Sequence, residues 1–228
     1  MPTPAVFVGF DAEAPVNPEA DDALLRLCRI YEKAGFAAGF FLAGEKARVL
    51  RARGRRDVLD ALKQHEVCYH GNYWFEYPEP ALVYGERDDW DTAVQKALTI
   101  ETPGLNEVAE ITGQFPVAWC QHQNSYSPAT AHALRLAGVK VWNGGLGAPM
   151  PGPSWCMDLF VVGRNQRVVS GQGSWGGWQY DPLHPDRQPP AMDPGAELKT
   201  FQASFDRQLE LGHSHVCILG HPTCWAMS

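Results

Sequence analysis

The sequence predicts an α/β fold in which helices alternate with about seven strands that pair in parallel. Two observations carry this prediction. Short apolar runs such as residues 5–10 and His215–Gly220 recur along the chain. Between them lie segments with apolar residues at helical spacing, such as Leu24, Cys28 and Tyr31. Because strands separated by helices pair in parallel through right-handed crossovers, the order predicts one parallel sheet covered by helices.

The strands follow from short apolar runs that end in glycine, proline or polar residues. They are predicted at residues 5–10, 36–42, 66–69, 117–120, 139–142 and 215–220, with strand-like pieces at 157–162 and 167–170. The helices begin at capping residues followed by proline: Asn17-Pro18, Ser127-Pro128 and Asp193-Pro194. Two further helices are predicted at 45–64, interrupted at Gly54, and at 89–112, where Pro103-Gly104 should break or kink the helix.

Composition indicates one domain and excludes several classes of partner. The chain has 228 residues, 45% of them apolar, and neither a linker nor a repeat. We therefore expect a single domain over 1–228, with a Gly-, Pro- and Trp-rich insertion at about 143–190. The net charge of −7 argues against a nucleic-acid or membrane partner. A homo-oligomer is left open.

Cysteine use and the N-terminus predict a cytoplasmic location. The six cysteines form no C-x-x-C pair, and the first residues lack the basic and apolar regions of a signal peptide. We expect free thiols.

Polar side chains follow the predicted strands at their C-terminal ends. Asp11 and Glu13 follow the first strand, His70 the third, His122 the fourth and His221 the last. In parallel α/β folds the C-terminal strand ends meet at one mouth, so these residues are predicted to share a site. Beyond His70, a loop with Tyr73, Trp74, Phe75 and Tyr77 is typical of a pocket rim or, equally, of a core segment.

Several motifs, in order, resemble the polysaccharide deacetylase superfamily (NodB homology, carbohydrate esterase family 4). Residues 10–15, F-D-A-E-A-P, resemble its T-F-D-D-G-P opening. Residues 65–70, H-E-V-C-Y-H, resemble the lead-in to its metal motif, and residues 218–222, I-L-G-H-P, resemble its closing strand. The resemblance implies a distorted (β/α) barrel.

Two departures point to one branch of that superfamily. Ala12 stands where the family has a metal-binding aspartate, and Trp74 where it has a second metal-binding histidine. Residues 70–77 look more like the metal-independent branch, which includes allantoinase-like and cyclic-imide-hydrolysing enzymes. Catalytic zinc normally needs three protein ligands. No cofactor is therefore expected; zinc or another divalent metal on Asp11, Glu13 and His70 is the alternative.

The resemblance implies a hydrolase that cleaves a C–N bond of a small or carbohydrate-like substrate. Asp11 is the expected base and His221 the acid, with Glu13 as a third catalytic candidate. The expected substrate-binding residues are His70, Trp74, Trp119, His122 and Tyr126. Two alternatives remain: a metal-dependent deacetylase of N-acetyl sugars, and a non-catalytic carbohydrate-binding protein on the same scaffold.

Overall fold

The computed structural model describes residues 3–74, 87–122, 127–144, 152–163 and 194–222. Its strands form a single eight-stranded sheet in the order β6-β7-β5-β4-β3-β2-β1-β8. All neighbouring strands pair in parallel except β6, which runs antiparallel to β7. Seven strands are thus parallel, which confirms the predicted fold class. The strands are β1 Ala5–Ala12, β2 Gly39–Leu42, β3 Glu66–Tyr69, β4 Ala118–Trp119, β5 Val141–Gly144, β6 Ser154–Cys156, β7 Leu159–Gly163 and β8 His215–Gly220.

Six helices connect these strands within the described residues: α1 Glu19–Lys33, α2 Gly44–Ala52, α3 Arg56–Leu62, α4 Trp90–Thr112, α5 Pro128–Leu136 and α6 Pro194–Glu210. Gly54 separates α2 from α3 with a φ of +67°, as predicted for a helix interruption. The side chain of Ser127 caps α5 by accepting a hydrogen bond from the Thr130 amide at 3.0 Å. None of the described helices has the length and apolarity needed to cross a membrane.

The main core lies between the sheet and the helices. Alternate strand residues such as Phe40, Tyr69 and Trp142 face this layer and pack with helix residues such as Leu50 and Leu105. The opposite face of the sheet carries a smaller buried cluster of Phe41, Cys68 and Cys120. Asp11 is paired in register with Phe41, so it belongs to this second face.

The sheet curls into a half-barrel around that second face. Asn143 on β5 donates a hydrogen bond to Sγ of Cys217 on β8 at 3.2 Å. Nε2 of His215, at the start of β8, donates to the carbonyl oxygen of Gly163 on β7 at 2.8 Å. These bonds join β8, an edge strand, to strands near the other edge, so the second face is concave.

Helix α4 is continuous through Pro103, so the break that was one of the two predicted outcomes, a break or a kink, does not occur. A proline at position 103 lacks the amide that would donate to the carbonyl of Thr99, four residues earlier. Here the carbonyl of Ile100 accepts from Asn72 Nδ2 at 2.8 Å, and the carbonyl of Glu101 accepts from the Tyr69 hydroxyl at 3.2 Å. Tyr69 at the end of β3 and Asn72 just beyond it therefore hold α4 in place close to its proline.

The predicted insertion at about 143–190 contains part of the main sheet. Strands β6 and β7 fall inside it, and β7 pairs with β5. The strand-like piece predicted at 167–170 lies outside the described residues.

Candidate active site

The C-terminal ends of four parallel strands bring five titratable side chains together. Nε2 of His70 lies 2.9 Å from Oε2 of Glu13, and Nε2 of His122 lies 3.0 Å from the same oxygen. On the other side, Nε2 of His221 lies 3.4 Å from Oδ2 of Asp11. His70 joins the two halves, because its Nε2 also lies 3.9 Å from Asp11 Oδ2. These are the residues that strand-end position selected in the sequence.

The side chains of this group differ in how far they are exposed to solvent. The side chain of His70 is 1% exposed and that of Asp11 5%, whereas His122 and His221 are each 14% exposed. His122 and His221 are therefore the members of the group with the greatest exposure to solvent. Among the described residues, Oδ1 of Asp11 is buried and has no hydrogen-bond partner. That oxygen is available to an incoming donor.

The orientation of the His70 ring is fixed by a backbone group. Its Nδ1 lies 2.9 Å from the carbonyl oxygen of Cys120, which can only accept, so Nδ1 carries a proton. Nε2 then points to Glu13. Burial alone lowers the pKa of His70, but the charge of Asp11 and the hydrogen bonds to the Cys120 carbonyl and Glu13 raise it well above its usual range.

Glu13 is held as a carboxylate. Burial opposes its ionisation, but hydrogen bonds from His122 and His70 outweigh that effect and hold its pKa well below the usual range. The site thus contains a fixed negative charge that both imidazoles share.

A buried carboxylate on α4 positions the segment that carries His70. Oε2 of Glu101 accepts hydrogen bonds from the Tyr69 hydroxyl at 2.7 Å and from the Asn72 amide at 3.0 Å. These bonds hold the residues on both sides of His70 and Gly71. Glu101 is not among the residues predicted from the sequence, although a charged residue at the buried spacing of Ala97 and Leu105 is a signal of a polar partner.

Lys46 positions the loop that carries Glu13. Its Nζ donates to the carbonyl of Ala14 at 2.6 Å and forms an ion pair with Asp21. Arg53 reinforces the loop by donating to Asp21 at 2.9 Å and to the carbonyl of Pro15 at 2.8 Å. Lys46 is also absent from the predicted site residues, since its partners lie far away in sequence.

Two other predicted substrate-binding residues, Trp119 and Trp74, make different contacts. Trp119 is a correction: it is buried in the helix-side core, stacked on Trp142 with ring centroids 5.4 Å apart, so it lines no cavity on the concave face. Trp74 is half-buried, and its amide donates to Oε2 of Glu45 at 3.1 Å. Tyr126 lies outside the described residues.

The donor atoms fall into two groups that suit a metal ion. One is Glu13, His70 and His122; the other is Asp11, His70 and Cys120; in each, the atoms lie within 4.8 Å of one another. The ligand set expected from the sequence is therefore divided, with Asp11 and Glu13 in different groups. Two imidazoles and one carboxylate are a donor set that zinc binds in catalytic sites, so these residues fit such an ion.

Comparison with known proteins shows the fold. No protein-family model matches the chain, and no curated protein sequence matches it. A Mycobacterium smegmatis structure assigned as a polysaccharide deacetylase superposes with a TM-score of 0.66 at 19% identity, over 96% of this chain and 77% of that one. A Pseudomonas aeruginosa structure with the same assignment gives a TM-score of 0.60 at 13% identity, over 96% and 77%.

A third solved structure is a carbohydrate esterase family 4 pseudoenzyme from Bacillus anthracis. Its TM-score is 0.53 at 14% identity, over 99% of this chain and 59% of that one. At these identities the comparisons show a shared fold, which confirms the expected deacetylase-type barrel. They give no support to the allantoinase-like branch.

Proposed function

We propose that the protein is a hydrolase that cleaves an amide C–N bond in the manner of a deacetylase. The observation that carries this proposal is the carboxylate–imidazole pair of Asp11 and His221, set beside Glu13, His70 and His122 at the mouth of the half-barrel. Amide hydrolysis needs a base for water and an acid for the leaving nitrogen, and this pair offers both.

Asp11 is the proposed base and His221 the proposed acid. Oδ1 of Asp11, which has no partner among the described residues, accepts a proton as water attacks the amide carbonyl. His221 donates its Nε2 proton to the departing nitrogen when the C–N bond breaks, which leaves a carboxylic acid and an amine. The 3.4 Å contact between the two side chains then allows the proton on Asp11 to return to His221.

His70 and His122 stabilise the negative charge that develops on the carbonyl oxygen of the substrate. Nε2 of His70 lies 3.9 Å from Oδ2 of the proposed base, and His122 contacts the same Glu13 oxygen as His70. Hydrogen-donating groups in this position stabilise developing negative charge. A divalent ion held by Glu13, His70 and His122 would polarise the same carbonyl. The expectation that the enzyme works without metal stays a prediction.

The proposed substrates are N-acetylated sugars or their oligomers. Support comes from the polysaccharide deacetylases of Mycobacterium smegmatis and Pseudomonas aeruginosa that share the fold. The partly exposed His122 and His221 mark the side from which such a substrate enters.

The test is amine release from a panel of N-acetyl sugars, their oligomers, cyclic ureides and cyclic imides. Asp11→Asn should lower kcat by roughly two to four decades, because asparagine cannot accept the proton from water. Asp158→Asn, at an exposed carboxylate, is the matched control. Near-normal turnover by Asp11→Asn would show that Asp11 is not the base.

If the protein hydrolyses none of these compounds, the proposed hydrolase activity is refuted. The non-catalytic alternative would then gain support, since the Bacillus anthracis protein of the same fold is a pseudoenzyme.

A further inference from the structure

We infer that Asn72 is a positioning residue, which holds His70 in its place in the candidate site. Asn72 lies two residues beyond His70, is 5% exposed and is not among the residues predicted from the sequence. Its effect on catalysis rests on the proposed function. The contacts that carry the inference belong to the fold, so they can also be tested without a substrate.

Hydrogen bonds hold both the side chain and the backbone of Asn72. Nδ2 donates to the carbonyl of Ile100 at 2.8 Å, and Oδ1 accepts from Nη1 of Arg48 at 2.9 Å. The backbone amide donates to Oε2 of Glu101 at 3.0 Å. The backbone carbonyl accepts from the Glu45 amide at 2.8 Å and from Nη2 of Arg48 at 3.2 Å. These five bonds connect one residue to both α2 and α4.

Two glycines allow the helices to approach this side chain closely. A Cβ at Gly44 would lie 2.7 Å from Oδ1 of Asn72, and a Cβ at Gly104 would lie 2.7 Å from its Cγ. A larger residue at either position therefore has to displace Asn72. Glycine is disfavoured inside a helix, yet Gly104 lies within α4. The close approach of α4 to Asn72 and to the Tyr69 hydroxyl accounts for a glycine there.

The segment also caps the start of helix α2. The first amides of a helix have no partner within the helix, and no side chain caps α2. The Gly44 amide instead donates to the carbonyl of Gly71 at 2.9 Å, as the Glu45 amide does to that of Asn72. The backbone just beyond His70 is thereby joined to a helix end as well as to the side chains of α2 and α4.

The ring of His70 depends on this fixed backbone. Nδ1 lies 2.9 Å from the Cys120 carbonyl, and Nε2 lies 2.9 Å from Oε2 of Glu13. Gly71, with a φ of +94°, turns the chain between His70 and Asn72. Hydrogen bonds of this length tolerate little movement, and a displacement of about 1 Å can cost about a hundredfold in rate.

The contacts require an amide at position 72. Only an amide offers both a donor to the Ile100 carbonyl and an acceptor to Arg48. In Asn72→Asp the shape is kept, but an oxygen replaces the nitrogen that faces the Ile100 carbonyl. Repulsion between the two oxygens should displace residue 72, and with it His70.

Hydrogen exchange of the full chain tests the positioning without a substrate. In Asn72→Asp, the amides of residues 70–72 should exchange roughly tenfold faster than in the parent protein, while those of β1 stay unchanged. Gly44→Ala should have the same effect, because its Cβ displaces Asn72 but removes no hydrogen-bonding group. Circular dichroism of each variant shows that the fold is intact.

Thr112→Val is the matched control for a lost buried hydrogen bond. Thr112 is 1% exposed, and its hydroxyl donates to the carbonyl of Val108 at 2.7 Å at the far end of α4. Exchange at residues 70–72 should stay as in the parent protein. Exchange that rises equally in β1 and at residues 70–72 in Asn72→Asp and Gly44→Ala would show that Asn72 contributes only to global stability, and would overturn the inference.

Kinetics on a hydrolysed member of the substrate panel completes the test. Asn72→Asp and Gly44→Ala should each lower kcat by about tenfold to a hundredfold with little change in KM, whereas Thr112→Val should change neither. Unchanged kcat in both variants would overturn the inference and leave the hydrolase standing. If no compound is hydrolysed but exchange rises only at residues 70–72, the hydrolase is wrong and the positioning of His70 by Asn72 is supported.

Discussion

The buried cation Lys46 provides a direct test of how the candidate site is held in place. Lys46 is 1% exposed and Asp21, its ion-pair partner, is fully buried. Nζ of Lys46 also donates to the carbonyl of Ala14, the residue that follows Glu13. Lys46→Met keeps the unbranched apolar stem of the side chain but lacks the terminal amine, so both contacts are lost.

The structure sets the size of the effect. Removal of one partner from a buried ion pair costs about 3–5 kcal/mol, and an orphaned buried carbonyl costs about 1–3 kcal/mol. Two terms reduce the sum. Arg53 and Arg55, at 2.9 and 3.8 Å, still compensate Asp21. Burial also lowers the pKa of Lys46 despite Asp21, which shows that desolvation of the charge is already unfavourable. We expect a net loss of about 2–4 kcal/mol in the free energy of unfolding.

Urea denaturation measures this loss, and Lys63→Met is the matched control. Lys63 pairs with Asp60 on the surface, with side chains 51% and 67% exposed, and such pairs contribute about 0–1 kcal/mol. If Lys46→Met costs no more than Lys63→Met, the buried pair does not stabilise the loop. Under that outcome, the fixed position of Glu13 needs another explanation.

Three further outcomes are expected. Gly104→Ala should lower the free energy of unfolding by about 1–3 kcal/mol in thermal or urea unfolding, because its Cβ would clash with the Tyr69 hydroxyl and with Asn72. If the free energy of unfolding instead increased by about 1 kcal/mol, helix propensity would dominate. Trp119→Phe should lower stability through its lost stacking on Trp142 but leave KM unchanged; a raised KM would return it to the substrate site. Asp21→Asn should cost more stability than Lys46→Met, since it leaves the buried Lys46 beside the partly exposed Arg53 without an anion between them; an equal cost would contradict this.

The strand ends were predictable because they depend on little more than an apolar run and where it stops. Strand β3 lies at Glu66–Tyr69, as the sequence predicts, and this places His70 at the mouth. Parallel pairing then brings the ends of β1, β3, β4 and β8 to the same edge without any knowledge of side-chain contacts. For this reason the five titratable residues were identified from the sequence, while their pairing was not.

The residues that position the site have hydrogen-bond partners far away in sequence, so no local sequence pattern reveals them. Glu101 contacts Tyr69 and Asn72, about thirty positions earlier in the chain, and Lys46 contacts Ala14 across a similar separation. A lone sequence shows only that a charged residue falls on a buried helical stripe, as Glu101 does. The groups that donate hydrogen bonds to its carboxylate can be identified only when the packing of the helix on the sheet is known.

Strand alternation explains why Trp119 was misplaced and why the other residues were not. Successive side chains of a strand point to opposite faces, so residues an even number apart share a face and residues an odd number apart do not. Trp119 and His122 are three positions apart, whereas Cys120 and His122 are two apart, as are Asp11 and Glu13. Even spacing therefore groups Cys120 with His122 and assigns Trp119 to the helix side, where it stacks on Trp142. In the structure β4 ends at Trp119 and His122 lies at a bend just beyond it, but the two side chains still lie on opposite sides of the sheet.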